Sequence, residues 1–356
     1  MLIIDGHLDL AWNALQWNRD LQTSVYTIRA RESQLSGAGR GQGTVALPDM
    51  RTGRIALCFA TLLARSTGRA VQNLDYSSPL QAYGAAQGQL AYYYALEEAG
   101  EVRIIKNATE LSDHMEDWEK WEMNTVLPQP VPGLVLSMES ADPIRSPDQL
   151  AALKEAGVRI VGPAHYGPGR YAGGTSTELG LTSMGRDLLH EMKELEILLD
   201  VTHLSDKAFW EAVELFEGTV LASHNNCRAL VPHQRQFDDR QIRAIVERGG
   251  VIGVASDNWM LRFGWVRGAK DNGPVRLMDV TDHLDHICQL AGDNRHAAIG
   301  SDLDGGFGRE QSPSDLDTIA DLQKIADILS GRGYNDADVT AIMYGNWFRL
   351  LQQAWS

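Results

Sequence analysis

The sequence predicts an α/β fold in which eight parallel strands, each with a following helix, close into a single (β/α)8 barrel. Three observations carry this expectation. Short apolar runs recur eight times, helical patterns stand between most of them, and no Pro/Ser-rich linker divides the 356 residues. The runs cover residues 2–4, 55–63, 134–138, 158–161, 197–201, 220–222, 251–254 and 298–299. They are short, rich in β-branched residues and do not alternate, as expected of strands buried on both faces. Alternating strand and helix implies a parallel sheet, and eight repeats imply closure.

The elements follow in order. After the first run comes an irregular excursion over residues 13–54, with a Gly-rich stretch at 36–43. It lacks the GxGxxG and GxxxxGK spacings of phosphate cradles and reads as flexible chain. Leu80, Tyr83, Gln87, Leu90 and Tyr94 fall on one helical stripe. Residues 112–124 form an acidic helix whose Trp118 and Trp121 are expected to pack rather than react. Further helices are expected at 150–157, 184–195, 240–247, 281–290 and 316–329, the first stopped by Gly157.

Composition narrows the function. With 44% hydrophobic and 22% charged residues, the chain can bury a large core. A formal charge of −15 argues against nucleic acid and against anionic membrane surfaces as partners. Cys58, Cys227 and Cys288 form no CxxC pair, so neither a disulfide scaffold nor a zinc ribbon is indicated. The start has no signal-peptide pattern, and no apolar run is long enough to span a bilayer. A cytoplasmic setting is expected.

In a barrel of this kind, chemistry sits at the carboxyl ends of the strands. The first run ends in Asp5-Gly6-His7-Leu8-Asp9, where His7 and Asp9 are spaced to point the same way. The third ends in Glu139, a carboxylate able to serve two cations or to cap a helix. The fourth ends in His165, the fifth in His203, the sixth in His224 and the eighth in Asp302. One such residue alone fits a capped turn or a satisfied core histidine. Six strand ends bearing ligand-type residues fit a metal site far better. His114, His190, His233, His283, His286 and His296 stand apart from the pattern. Lys106 is the alternative bridging group, but it leads directly into a helix start, so Glu139 is preferred.

At these residues the chain resembles the membrane dipeptidase (renal dipeptidase-like) family of binuclear zinc peptidases, among the amidohydrolase-type barrels. The matching stretches include Asp5-Gly6-His7-Leu8-Asp9-Leu10-Ala11-Trp12, Leu136-Ser137-Met138-Glu139-Ser140-Ala141-Asp142-Pro143-Ile144 and Leu199-Asp200-Val201-Thr202-His203. Ala222-Ser223-His224, Arg235-Gln236-Phe237-Asp238-Asp239, Gly300-Ser301-Asp302-Leu303-Asp304-Gly305 and Gly345-Asn346-Trp347 follow in family order. The resemblance implies a (β/α)8 barrel, dipeptidase activity and two Zn2+ ions per subunit. It implies His7 and Asp9 on one zinc, His203 and His224 on the other, and Glu139 bridging. It also implies that His165 polarises the scissile carbonyl, Arg235 holds the substrate carboxylate and Asp302 carries the proton. Family habit adds a homodimer. The chain departs from the family at Leu8, where Asn is usual, and over 166–174; residues 13–133 match no motif.

A water acidified between two cations would be the attacking group in such a site. A dipeptide is the substrate the resemblance favours. Another small amide, such as an N-acyl amino acid or a lactam, is the alternative, and a non-hydrolytic barrel ranks last.

Overall fold

The structure is a computed structural model and describes residues 1–69, 71–268 and 273–356. Its strands are β1 (Ile3–Leu8), β2 (Ile55–Leu63), β3 (Arg103–Ile104), β4 (Gly133–Glu139) and β5 (Val158–Gly162). They continue as β6 (Leu198–Asp200), β7 (Val220–Leu221), β8 (Ile252–Val254) and β9 (Ala297–Ile299). All pairings between them are parallel. Each of the eight apolar runs holds a strand. β3 is an addition from the apolar stretch 102–105, and it pairs only with the start of β4.

The order β1-β2-β4-β5-β6-β7 makes one sheet curled as a half-barrel, and β8 pairs with β9 separately. An isolated bridge between Ala222 and Ile252 links the two sheets. Among the described residues, no strand ladder joins β9 back to β1. Side chains do meet across that gap. Ile4, Phe59, Val135, Ile160, Leu198, Leu221, Val251 and Ala298, one from each run, share a single buried cluster. Trp347, from the helix Asn346–Ala354, is fully buried in it and donates its indole N–H to the Ile299 carbonyl at 2.8 Å. Glycine is required where the interior is tightest. A Cβ on Gly253 or Gly300 would lie 2.1 or 1.9 Å from the Ser223 carbonyl oxygen.

The second and larger cluster lies between the outer strand faces and the helices. The helix Pro79–Glu98 packs there on a face that meets the expected stripe at Leu90. Leu80 is exposed, while Ala82, Ala86, Gln89, Leu90, Tyr93 and Leu96 are buried. Small Ala side chains let the helix approach β2 closely, and Gln89 pairs with both backbone groups of Leu63, at 2.7 and 2.8 Å. In the helix Ala108–Met123, Trp118 is fully buried, so the acidic helix packs as expected.

The excursion over 13–54 is fastened rather than loose. It contains the helices Val25–Arg31 and Leu47–Thr52. Arg19, buried at its centre, donates to Glu32 Oε1 at 2.9 Å, to the Gly39 carbonyl at 2.6 Å and to Asp304 Oδ2 at 3.0 Å. Asp304 also accepts the Thr44 N–H and hydroxyl and the Val45 N–H. A buried guanidinium must be paired in this way, and the pairing ties the Gly-rich stretch to the turn after β9. Cys58, Cys227 and Cys288 are free and buried. No helix of the described residues is long and apolar enough to cross a membrane.

Candidate metal centre

The strand ends converge. His7 and Asp9 leave β1, Glu139 ends β4, His165 follows β5, His203 follows β6, His224 follows β7 and Asp302 follows β9. Two of these side chains sit on strained turns: His203 and Asp302 have φ of 67° and 55°, and Ser140, directly after Glu139, has φ of 69°. Left-handed backbone at non-Gly residues concentrates where a side chain must be aimed.

Glu139 stands at the centre. Its Oε2 lies 3.8 Å from His7 Nε2. Its Oε1 lies 3.2 Å from His203 Nε2 and 3.3 Å from His224 Nε2. His7 Nε2 is also 3.8 Å from both Asp9 Oδ2 and Asp302 Oδ1. Two groups thus share Glu139: His7 with Asp9, and His203 with His224, each close enough to hold one ion. His7, Asp9, His203, His224 and Glu139 are all under 10% exposed.

The donor set fits a divalent transition metal, being imidazole nitrogen and carboxylate oxygen. The decisive observation is polar atoms without hydrogen-bond partners. Both ring nitrogens of His7 and Oε1 of Glu139 are buried and unpartnered. Buried polar atoms are rarely left so, and cations beside His7 Nε2 and Glu139 Oε1 would satisfy those two. Neighbouring hydroxyls set the other ends of the ligands. Thr175 Oγ1 meets His203 Nδ1 at 3.0 Å, Ser223 Oγ meets His224 Nδ1 at 2.9 Å, and Thr61 donates to Asp9 Oδ1 at 2.5 Å. Asp9 precedes the helix Leu10–Gln16 but makes no capping bond, so its carboxylate is not used up as a cap.

Electrostatics point the same way. Burial alone lowers His7, but Glu139, Asp9 and Asp302 outweigh it and raise His7 to about 10. Burial raises Glu139 to about 7 against the opposing pull of His7. Burial also lifts Asp302 well above the usual carboxylate range. His165, His203 and His224 are lowered, first by burial and then by neighbouring positive groups. A cluster that favours positive charge this strongly at His7 favours a bound cation.

Asp9, Glu139, His203, His224 and Asp302 line a cavity of about 610 Å3. His165 and Arg235 are on its wall. Arg235 is buried and donates to Asn225 Oδ1 and, at 2.9 Å, to the His224 carbonyl, while its Nε has no partner. Two wall residues fall outside the set expected from sequence. Arg65 follows β2 directly and reaches His165. Asp257 follows β8, accepts from Trp259 Nε1 at 2.6 Å and from Gln311 Nε2 at 2.9 Å, and is pushed up to about 7, chiefly by burial. Both obey the strand-end rule that found the others. The remaining histidines and Lys106 lie elsewhere. His114 bonds the Ala56 carbonyl, His296 the Gly250 carbonyl, and Lys106 Nζ sits 5.2 Å above the Tyr94 ring.

Fold and site together define a metal-dependent hydrolase built on parallel strand ends. The membrane dipeptidase family profile (peptidase family M19) matches residues 1–356, and the chain belongs to that family of metallo-dipeptidases. A solved metallopeptidase of the same family, dipeptidase AC, is 25% identical with a TM-score of 0.80, covering 100% of this chain and 99% of its own. A metallopeptidase from Rhodobacter sphaeroides, solved with a phosphinate mimic of L-Ala-D-Ala, is 23% identical with a TM-score of 0.78, covering 100% and 99%. A protein encoded in the pqqA 5' region of Klebsiella pneumoniae is 33% identical over 58% of this chain and 76% of its own. Dipeptidase tcpJ of Claviceps purpurea is 29% identical over 55% of this chain, an alignment spanning 45% of that enzyme.

Proposed function

We propose that the protein hydrolyses the amide bond of a dipeptide at a pair of Zn2+ ions. The observation that supports this most is the division of Glu139, with Oε2 toward His7 and Oε1 toward His203 and His224. His7 and Asp9 would hold one ion, His203 and His224 the other, and Glu139 both. When bound, such ions supply an acidified water and a Lewis acid.

The chain's own residues do the rest. His165, on the cavity wall, offers an N–H to the scissile carbonyl oxygen as negative charge develops there. Asp302, partly buried beside His7, takes the water's proton and returns it to the leaving amine. Arg235, on the cavity wall, holds the terminal carboxylate, a match of planar donor and anion. The cavity suits a ligand of dipeptide size.

The same reading closes the two sheets into a complete (β/α)8 barrel. In its favour are the cluster shared by all eight runs and the hydrogen bonds from Ser301 to Asp5. It also sets the protein in the cytoplasm, where three unpaired cysteines persist, and makes it a homodimer.

The test is an assay of zinc-replete protein on L-Ala-L-Ala, L-Ala-D-Ala and a wider dipeptide panel, beside N-acyl amino acids and lactams. Chelator-sensitive cleavage of a free dipeptide supports the proposal. Cleavage confined to the acylated or cyclic amides replaces the substrate, and no stoichiometric metal in active protein removes the mechanism.

A further inference from the structure

We infer that Arg65 is a positioning residue that fixes His165 in its Nε2–H form, so that this ring faces the substrate only as a donor. The inference rests on the role proposed above for His165. Arg65 is 4% exposed, and its Nη1 lies 2.8 Å from His165 Nδ1. A guanidinium donates from every N–H, accepts nothing and does not lose its proton. At that distance Nδ1 therefore presents its lone pair, and the single ring proton of neutral His165 sits on Nε2. A doubly protonated ring would set N–H against N–H.

The free end of the ring points to the chemistry. His165 Nε2 lies 3.9 Å from Glu139 Oε1, and the residue lines the cavity. Tyr166 and His203 pack edge-on against the imidazole, with ring centroids 4.9 and 4.3 Å away. An N–H held there meets a carbonyl oxygen as charge builds on it. The opposite tautomer would offer a lone pair to that oxygen and repel it.

Arg65 is itself held from behind. Asp75, with a fully buried side chain, accepts its Nε at 3.1 Å. Asp75 also accepts the Thr67 N–H at 2.9 Å and the Thr67 hydroxyl. The backbone is paired on both sides, Arg65 N–H to the Leu74 carbonyl at 3.1 Å and Tyr76 N–H to the Arg65 carbonyl at 2.7 Å. A segment that matches no motif in the sequence thus reaches the reacting centre through one guanidinium.

The experiment reads the tautomer directly. Zinc-loaded protein labelled with 15N-histidine gives long-range 1H–15N correlations, and the His165→Gln spectrum assigns the ring. A pyridine-type Nδ1 and a pyrrole-type Nε2 are expected in the wild type, with loss of that pattern in Arg65→Met. A pyrrole-type Nδ1 in the wild type overturns the inference. Kinetically, Arg65→Met should lose roughly ten- to a hundredfold in kcat with KM within about threefold, less than deleting an oxyanion donor outright. Zinc content should not change, and Arg65→Lys should restore most of the rate. Because Arg65→Met leaves Asp75 unpaired, Arg65→Met/Asp75→Asn repeats the measurement without a buried lone charge, and the same loss is expected. An unchanged kcat in the double variant, or a Lys variant as poor as Met, overturns the inference. If the wild type cleaves no dipeptide, the proposed function fails, while the 15N spectrum still tests Arg65.

Discussion

Ser301 holds Asp5 with two hydrogen bonds, its N–H donating to Oδ1 at 2.8 Å and its hydroxyl to Oδ2 at 2.5 Å. The His7 N–H donates to Oδ1 as well, at 3.1 Å. One buried carboxylate thus ties the turn that carries His7 and Asp9 to the turn that carries Asp302. Asp5→Ala leaves three buried donors without a partner, each costing about 1–3 kcal/mol. A stability loss of roughly 3 kcal/mol or more in urea unfolding is expected, together with weaker zinc retention. A loss below about 1 kcal/mol would remove Asp5 from this role.

Glu139→Gln keeps the shape of the side chain but replaces an oxygen with an amide group. Because the two carboxylate oxygens face separate ligand pairs, occupancy of both ions should fall together. His203→Ala should remove bound metal and activity in the same preparation. Metal-to-protein ratios by elemental analysis, taken beside initial rates, provide the check. Full activity at unchanged stoichiometry in Glu139→Gln would count against the shared carboxylate.

Arg235→Ala removes the unpartnered Nε along with the bond to the His224 carbonyl. Hydrogen bonds to charged groups are worth about 1.5–3 kcal/mol, so kcat/KM for a dipeptide should fall roughly ten- to a hundredfold. The loss should appear mainly in KM. An amide lacking a terminal carboxylate should be much less affected, and an equal loss on both substrates would leave Arg235 with only its bracing of His224.

Acid should destabilise the fold through histidines that are not part of the metal centre. Burial lowers His114 and His283 from 6.5 to about 4. Each stays neutral when folded and takes a proton when unfolded. Their contribution is complete above the unfolded value of 6.5 and is lost as the pH falls toward 4. The full loss is roughly 3 kcal/mol per ring, and roughly 2 kcal/mol of it is expected by pH 5. Urea unfolding at pH 7.5 and 5 should show a smaller pH effect in His114→Gln, whose amide can still reach the Ala56 carbonyl. An identical drop in both proteins would place the acid sensitivity elsewhere.

Much of the fold was legible because buried parallel strands are short, unbroken apolar runs, and each of the eight carried a strand. β3 escaped because two paired residues leave little periodic signal. The stripe on the helix 79–98 met the buried face only at Leu90, because half of that face is Ala82, Ala86 and Gln89, which carry no strong apolar signal beside Tyr93 and Leu96. At the site, His7, Asp9, Glu139, His165, His203, His224 and Asp302 were readable from their place after a strand. Arg65 and Asp257 stood at equivalent places and were passed over, Arg65 because a guanidinium ligates no metal and Asp257 because a lone carboxylate after a strand serves equally well as a helix cap. The fastening of residues 13–54 had no local signature. It depends on Arg19 meeting Asp304 across 285 positions of sequence.

That fastening divides labour within the protein. Ala38 brings the early segment to the cavity wall, while every proposed ion-holding side chain comes from a strand end. Arg19 and Asp304 form the fixed anchor between the two parts. Residues of the early segment other than these anchors can therefore be exchanged to admit a differently shaped guest, with the ion-gripping framework left as it stands.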